Sequence, residues 1–116
     1  MKKSLYKVLP AVIWRSAEAE GLFRGAGIDL QDGFIHLSGA DQVVETVTKH
    51  FVGQRGLLLI TIDGEKLGPS LRWEPSRGGE LFPHVYGAIS MEAVEKVDPL
   101  PLGDDGTHQF PSSTVD

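Results

Sequence analysis

Apolar and polar positions alternate through "SLYKVLP" (4–10), setting Leu5 and Lys7 off from Tyr6 and Val8. This is the period of a strand, stopped by Pro10. The spacing then changes. In "AVIWRSAEAE" (11–20) Ile13, Trp14 and Ala17 fall on one helical face, and Gly21 is a natural terminator. The glycine-bearing "GLFRGAGIDLQDG" that follows reads as a long surface loop, a kind that often carries function. "GFIHLS" (33–38) is the next strand. In "SGADQVVETVTKHF", Val43, Val44, Val47 and Phe51 recur at spacings of three and four. Ser38 or Asp41 is placed to cap that helix, His50 lies in its last turn and Gly53 ends it. "GLLLITID" (56–63) is a continuous apolar run too short for a helix, and predicts a central strand buried on both faces. After a loop, "LRWEP" (71–75) is a short strand closed by Pro75, "SRGGE" a turn and "LFPHVYGAIS" (81–90) a further strand. "MEAVEKVDPL" predicts one helical turn and a last strand around Val94 to Val97.

Strands and two helices without regular βα alternation predict an α+β domain. The chain has 116 residues, about the size of one domain. We expect that domain to span residues 1–102. The Gly-, Pro-, Ser- and Asp-rich stretch 103–116 is expected to be a flexible tail on which His108 is incidental. A net charge of −5 argues against a general grip on nucleic-acid phosphates, leaving room only for a local basic patch. With no cysteine, disulfide, thiolate and thiolate–zinc chemistry are excluded. Lys7 and Pro10 break the apolar run near the N-terminus, against a signal peptide, and no window approaches the roughly 20 apolar residues of a membrane span. A soluble, cytoplasmic protein is expected.

The period-two rule then sorts the unusual polar residues. Phe34, His36 and Ser38 share a face, opposite Ile35 and Leu37; Arg72 and Glu74 share one, opposite Leu71 and Trp73. Phe82, His84 and Tyr86 share a third, opposite Pro83 and Val85. If these strands are neighbours, their polar faces form one concave, aromatic-edged hollow suited to a small molecule. Each residue alone has a structural reading. His36 could bond a backbone carbonyl, Arg72 and Glu74 a surface ion pair, Tyr86 the core and Ser38 a helix end. A Ser38–His36 nucleophilic pair lacks the strained Gly-x-Ser-x-Gly turn. His36, His84 and Glu74 could form a two-histidine, one-carboxylate metal set. Paired His-x-Ser/Thr strands are how two-histidine phosphoesterases place acid and base; here the second motif has Tyr86 in place of the hydroxyl residue, and the chain is short for that two-lobed architecture. No phosphate-cradling or dinucleotide glycine motif is present.

"DGFIHLSG", "LRWE" and "LFPHVYGAI", in this order after "WRSAEAEG", resemble the bacterial family called domain of unknown function 952, over roughly residues 5 to 100. No function is assigned to that family. The resemblance implies kinship with ADP-ribosyltransferase-like folds, including tRNA 2′-phosphotransferases, which hold NAD in a cleft between two small, mainly antiparallel sheets. On that basis His36 would hold the nicotinamide-side ribose, Tyr86 would stack on the nicotinamide ring and an acidic residue would polarise the ribose. Arg72 suits a phosphate by bidentate hydrogen bonding. The expectation is a nucleotide-like ligand, with NAD as cofactor and no metal. His36, Ser38, Arg72 and Tyr86 would bind it, and Glu74 and His84 would be the catalytic candidates. Transfer of an ADP-ribosyl group or a 2′-phosphate, or non-catalytic binding, would follow.

Overall fold

The computed structural model describes residues 4–112. Its elements are β1 (Ser4–Pro10), α1 (Ala11–Glu20), β2 (Leu22–Phe23), α2 (Ile28–Asp32), β3 (Ile35–His36), β4 (Ser38–Gly39) and α3 (Val43–His50). After them come β5 (Leu57–Asp63), β6 (Leu71–Pro75), β7 (Leu81–Val85), β8 (Ile89–Ser90) and β9 (Val94–Pro99). Short 3₁₀ segments cover Gly64–Ser70, Arg77–Gly79 and Met91–Ala93. The strands form three sheets of orders β4-β1-β5-β9, β3-β7-β6 and β2-β8, and every pairing is antiparallel. The domain is α+β, with few and short helices.

β5 is the keel, and all seven of its residues are buried. Alternation sends Leu58, Ile60 and Ile62 into one core, with Leu5 and Leu9 of β1, Trp14 and Ala17 of α1, and Ile35, Val85 and Ile89. It sends Leu57 and Leu59 into a second core, with Tyr6, Val8, Val43 and Val47 of α3, and Leu100. The four-stranded sheet is therefore covered on both faces, which is why β5 reads as an unbroken apolar run. α1 stops where Gly21 takes a φ of 89°, the left-handed conformation that glycine adopts without penalty, and its N–H caps the carbonyls of Ala17 and Glu18.

The structure departs from the sequence expectation at several points. The run 33–38 is not one strand. β3 belongs to the three-stranded sheet, and after Leu37 donates its N–H to the Pro83 carbonyl at 3.0 Å the chain crosses to the four-stranded sheet, where Ser38 pairs with Tyr6. The expected loop at 21–33 contains α2. The strand expected over 81–90 ends at Val85, and Ile89–Ser90 pairs separately with β2. Neither Ser38 nor Asp41 caps α3, which starts after Gln42 without a side-chain cap; the Gln42 side chain instead accepts the Gly39 N–H. Past β9 the chain turns back. Leu102 bridges to His108, His108 Nε2 contacts the Gln54 carbonyl at 2.8 Å, and Phe110 packs on the second core. The end of the expected tail, residues 113–116, lies outside the described residues. Among the described residues no helix is long and apolar enough to cross a membrane.

Trp14 is fully buried, packs its ring 5.7 Å from that of Phe23 and donates its indole N–H to Glu18 at 2.9 Å. Trp14→Ala is expected to cost about 3–5 kcal/mol by urea unfolding. Val12→Ala on the exposed side of the same helix is expected to stay within about 0.5 kcal/mol of wild type.

Candidate functional site

The three-stranded sheet brings the predicted polar faces together. Across it His36 stands opposite His84 and His84 opposite Arg72, while Glu74 stands opposite Phe82. Directly paired residues project to the same side of a sheet, so the imidazoles, the guanidinium and the carboxylate share one face. Phe34, half-buried, lies over that face. Its ring is 4.7 Å from that of His36, 4.2 Å from that of His84 and 5.2 Å from that of Tyr86. The two imidazoles are 5.3 Å apart, edge to face.

Each imidazole is held from behind by a carboxylate. His84 Nδ1 lies 2.7 Å from Glu74 Oε1, and the Tyr86 hydroxyl donates to that same oxygen at 2.7 Å. The His84 N–H and the Tyr86 O–H together hold the Glu74 carboxyl below the usual range, and the same carboxylate raises the Tyr86 phenol above its own. Arg72 lies over the Tyr86 ring, 5.1 Å from its centroid. His36 Nδ1 lies 2.7 Å from Asp29 Oδ1, and its Nε2 lies 3.0 Å from Asp32. Only a doubly protonated ring donates to both of those carboxylates.

Asp29 is the centre of the second group. It is 3% exposed. Its oxygens accept from Lys7 Nζ at 2.9 and 3.2 Å, from the Ala26 N–H at 3.0 Å and from the His36 backbone N–H at 3.1 Å, besides the His36 ring. Burial alone would raise the Asp29 carboxyl, but the Lys7 charge and these donors outweigh it and hold the group below the usual carboxylate range. The turn before Asp29 is built for this approach. Gly25 has a φ of 116°, and a Cβ placed there would stand 3.1 Å from the Asp29 Cβ.

These groups border a cleft of about 630 Å³ between the sheets, α2 and α3. His36, His84, Asp29, Asp32 and Lys7 line its polar part, with Ser38 and Thr46 further along; Leu9, Ile13, Ile28, Phe51 and Phe82 supply apolar wall. His84 is 4% exposed, and its Nε2 is a buried atom without a hydrogen-bond partner among the described residues. Leaving a buried polar atom unpaired costs about 1–3 kcal/mol, so such an atom calls for a partner such as an ordered water, an ion or a ligand.

Of the predicted residues, His36, Glu74, His84, Tyr86 and Arg72 form one connected cluster. Ser38 is apart from it: the strand break carries it onto β4, where its hydroxyl meets Thr46 at 3.2 Å, although it still borders the cleft. Arg72, Glu74 and Tyr86 are not among the residues that line the cleft. Lys7, Asp29 and Asp32 are the members that sequence reasoning missed. A signal for the first was present: in "LYKVL" Lys7 holds the alternation phase of Leu5 and Leu9, and a lysine in a core-facing phase needs a buried carboxylate. No group of His, Asp or Glu among the described residues is arranged to hold a metal ion.

Residues 8–97 match the family model described as protein of unknown function (DUF952). The crystal structure of protein CC0527 from Caulobacter crescentus is similar to this fold with a TM-score of 0.90, at 42% identity, over 96% of this chain and 97% of that one. The solution NMR structure of CC0527 gives a TM-score of 0.82 at 44% identity over 91% of each chain. Both are structural-genomics targets with no function named. No curated protein matches the chain.

Because the Asp29 carboxyl is held below its ordinary value of 3.8, its stabilising contribution is complete above that value and is lost as pH falls through the lower folded-state one. Urea midpoints of the wild type are expected to drop between about pH 5 and pH 2. Asp29→Asn is expected to flatten that limb and to cost about 3 kcal/mol at neutral pH. An acid limb identical in variant and wild type would contradict the assignment.

Proposed function

The chain belongs to the DUF952 family, and we propose that its cleft binds a nucleotide-like ligand on which His36 and His84 act as a proton-transferring pair. The observation that carries this reading is the pair itself. Two imidazoles lie 5.3 Å apart on one cleft, each with Nδ1 2.7 Å from a carboxylate. Glu74 keeps the His84 proton on Nδ1, which leaves Nε2 bare to act as the base toward the ligand. His36, between Asp29 and Asp32, is the proton-donating partner. Glu74 and Tyr86 are positioning residues in this scheme, since they reach the ligand only through His84. The apolar wall suits a planar ring, and the hydroxyls of Ser38 and Thr46 suit a sugar.

NAD is the finer form of the proposal. The resemblance to ADP-ribosyltransferase-like proteins supports it, with acid–base chemistry at the nicotinamide-side ribose. The same two histidines could serve a phosphoesterase, but that reading requires a cation beside the phosphate. Lys7 already spends its protons on Asp29 and the His36 carbonyl.

NMR titration of the full chain with NAD, ADP-ribose and adenosine is expected to shift the ring signals of His36 and His84. Silence at millimolar ligand would overturn the proposal. His36→Ala is expected to weaken binding at least about tenfold while costing less than about 1.5 kcal/mol of stability, because Lys7 and the backbone amides still hold Asp29. If ligand shifts persist without turnover of NAD, the cleft is a binding module and not an enzyme site.

A further inference from the structure

The charge around the cleft bears on what can enter it. Asp29 and Asp32 both line it, and among the described residues Lys7 is the one lysine or arginine that does. That ammonium has three protons and three acceptors, namely the two Asp29 oxygens and the His36 carbonyl, at 2.9–3.2 Å. Its side chain is 12% exposed, so it cannot swing out to a second partner without leaving Asp29 uncompensated. Arg72, the residue whose chemistry suits a phosphate, stands over Tyr86 and is not part of the lining. Among the described residues, a phosphate placed beside His36 would therefore meet two carboxylates and no uncommitted lysine or arginine, and the further imidazole on the lining, beyond His36 and His84, is that of His50 on α3. His84 also borders the cleft, and its buried, unpartnered Nε2 can accept a hydrogen bond from a hydroxyl.

We infer that the part of the ligand entering this cleft carries no phosphate and belongs to the nucleoside class: a neutral or cationic ring joined to a hydroxyl-bearing sugar, with any phosphate left outside. The inference rests on the proposed binding role of the cleft and narrows its substrate class. The ring packs against the Leu9, Ile13 and Phe51 wall, and a sugar hydroxyl donates to His84 Nε2. Of the two transfer reactions considered, this fits chemistry at the sugar carbon that bears the ring, and it disfavours transfer of a 2′-phosphate.

Calorimetric titration of the full chain with adenosine, nicotinamide riboside and the 5′-monophosphate of each tests the inference. At low salt each monophosphate is expected to bind about fivefold more weakly than its nucleoside, with the gap closing as salt is added. Asp32 is partly exposed, so Asp32→Asn is expected to fold normally and to shrink the gap by about half. A phosphate that tightens binding, or a gap that Asp32→Asn leaves unchanged, would overturn the inference while leaving the ligand-binding role intact. Absence of binding by all four compounds to the folded chain would overturn that role and the inference with it.

Discussion

A single buried carboxylate holds the site in shape. Asp29 gathers five hydrogen bonds from four donor groups on β1, β3 and the turn before α2. It thereby closes α2 against two different sheets and fixes the ring of His36. An isolated carboxylate in such a place would cost several kcal/mol of desolvation, and only a nearly complete shell of partners offsets that. The arrangement is strict for that reason. Removing any one donor weakens the case for keeping the charge, and removing the charge leaves Lys7 buried without a counter-ion.

Glu74 has the corresponding role on the other side of the site, with a different balance. It is partly exposed, so its interaction with His84 is softened by solvent, and the Tyr86 hydroxyl shares the same oxygen. The result is two imidazoles of unlike character on adjacent strands. One has carboxylates at both nitrogens. The other is committed at one nitrogen and bare at the second. Enzymes obtain acid and base from the same side-chain type by this kind of environmental difference. The sheet supplies the spacing, because facing residues on paired strands are held at a fixed separation.

Much of this was legible in the sequence, because alternation along a strand is a local rule. It places His36, His84, Arg72 and Glu74 on common faces whatever the tertiary context, and the sheet register brings them together. It also identifies β5 from its unbroken apolar run. Ser38 escaped the rule because β3 ends after His36 and the chain changes sheets within two residues, an event decided by long-range pairing with Pro83 and Tyr6. α2 escaped because five residues between glycines carry little helical periodicity. Asp29 and Asp32 were invisible as site residues for the same reason: their importance comes from Lys7 and His36, which reach them only in the folded chain.

The central claim is that the Glu74 carboxylate at Nδ1 sets the tautomer of His84 and leaves its Nε2 free for a ligand, while carboxylates hold both nitrogens of His36. Long-range proton–nitrogen correlation spectra of the histidine rings in the free protein test it most directly. The account predicts a proton on Nδ1 of both rings and a bare Nε2 on His84. A His84 ring protonated on Nε2 with Nδ1 bare would contradict it, because Glu74 could not then accept from that ring and the proposed base would be lost.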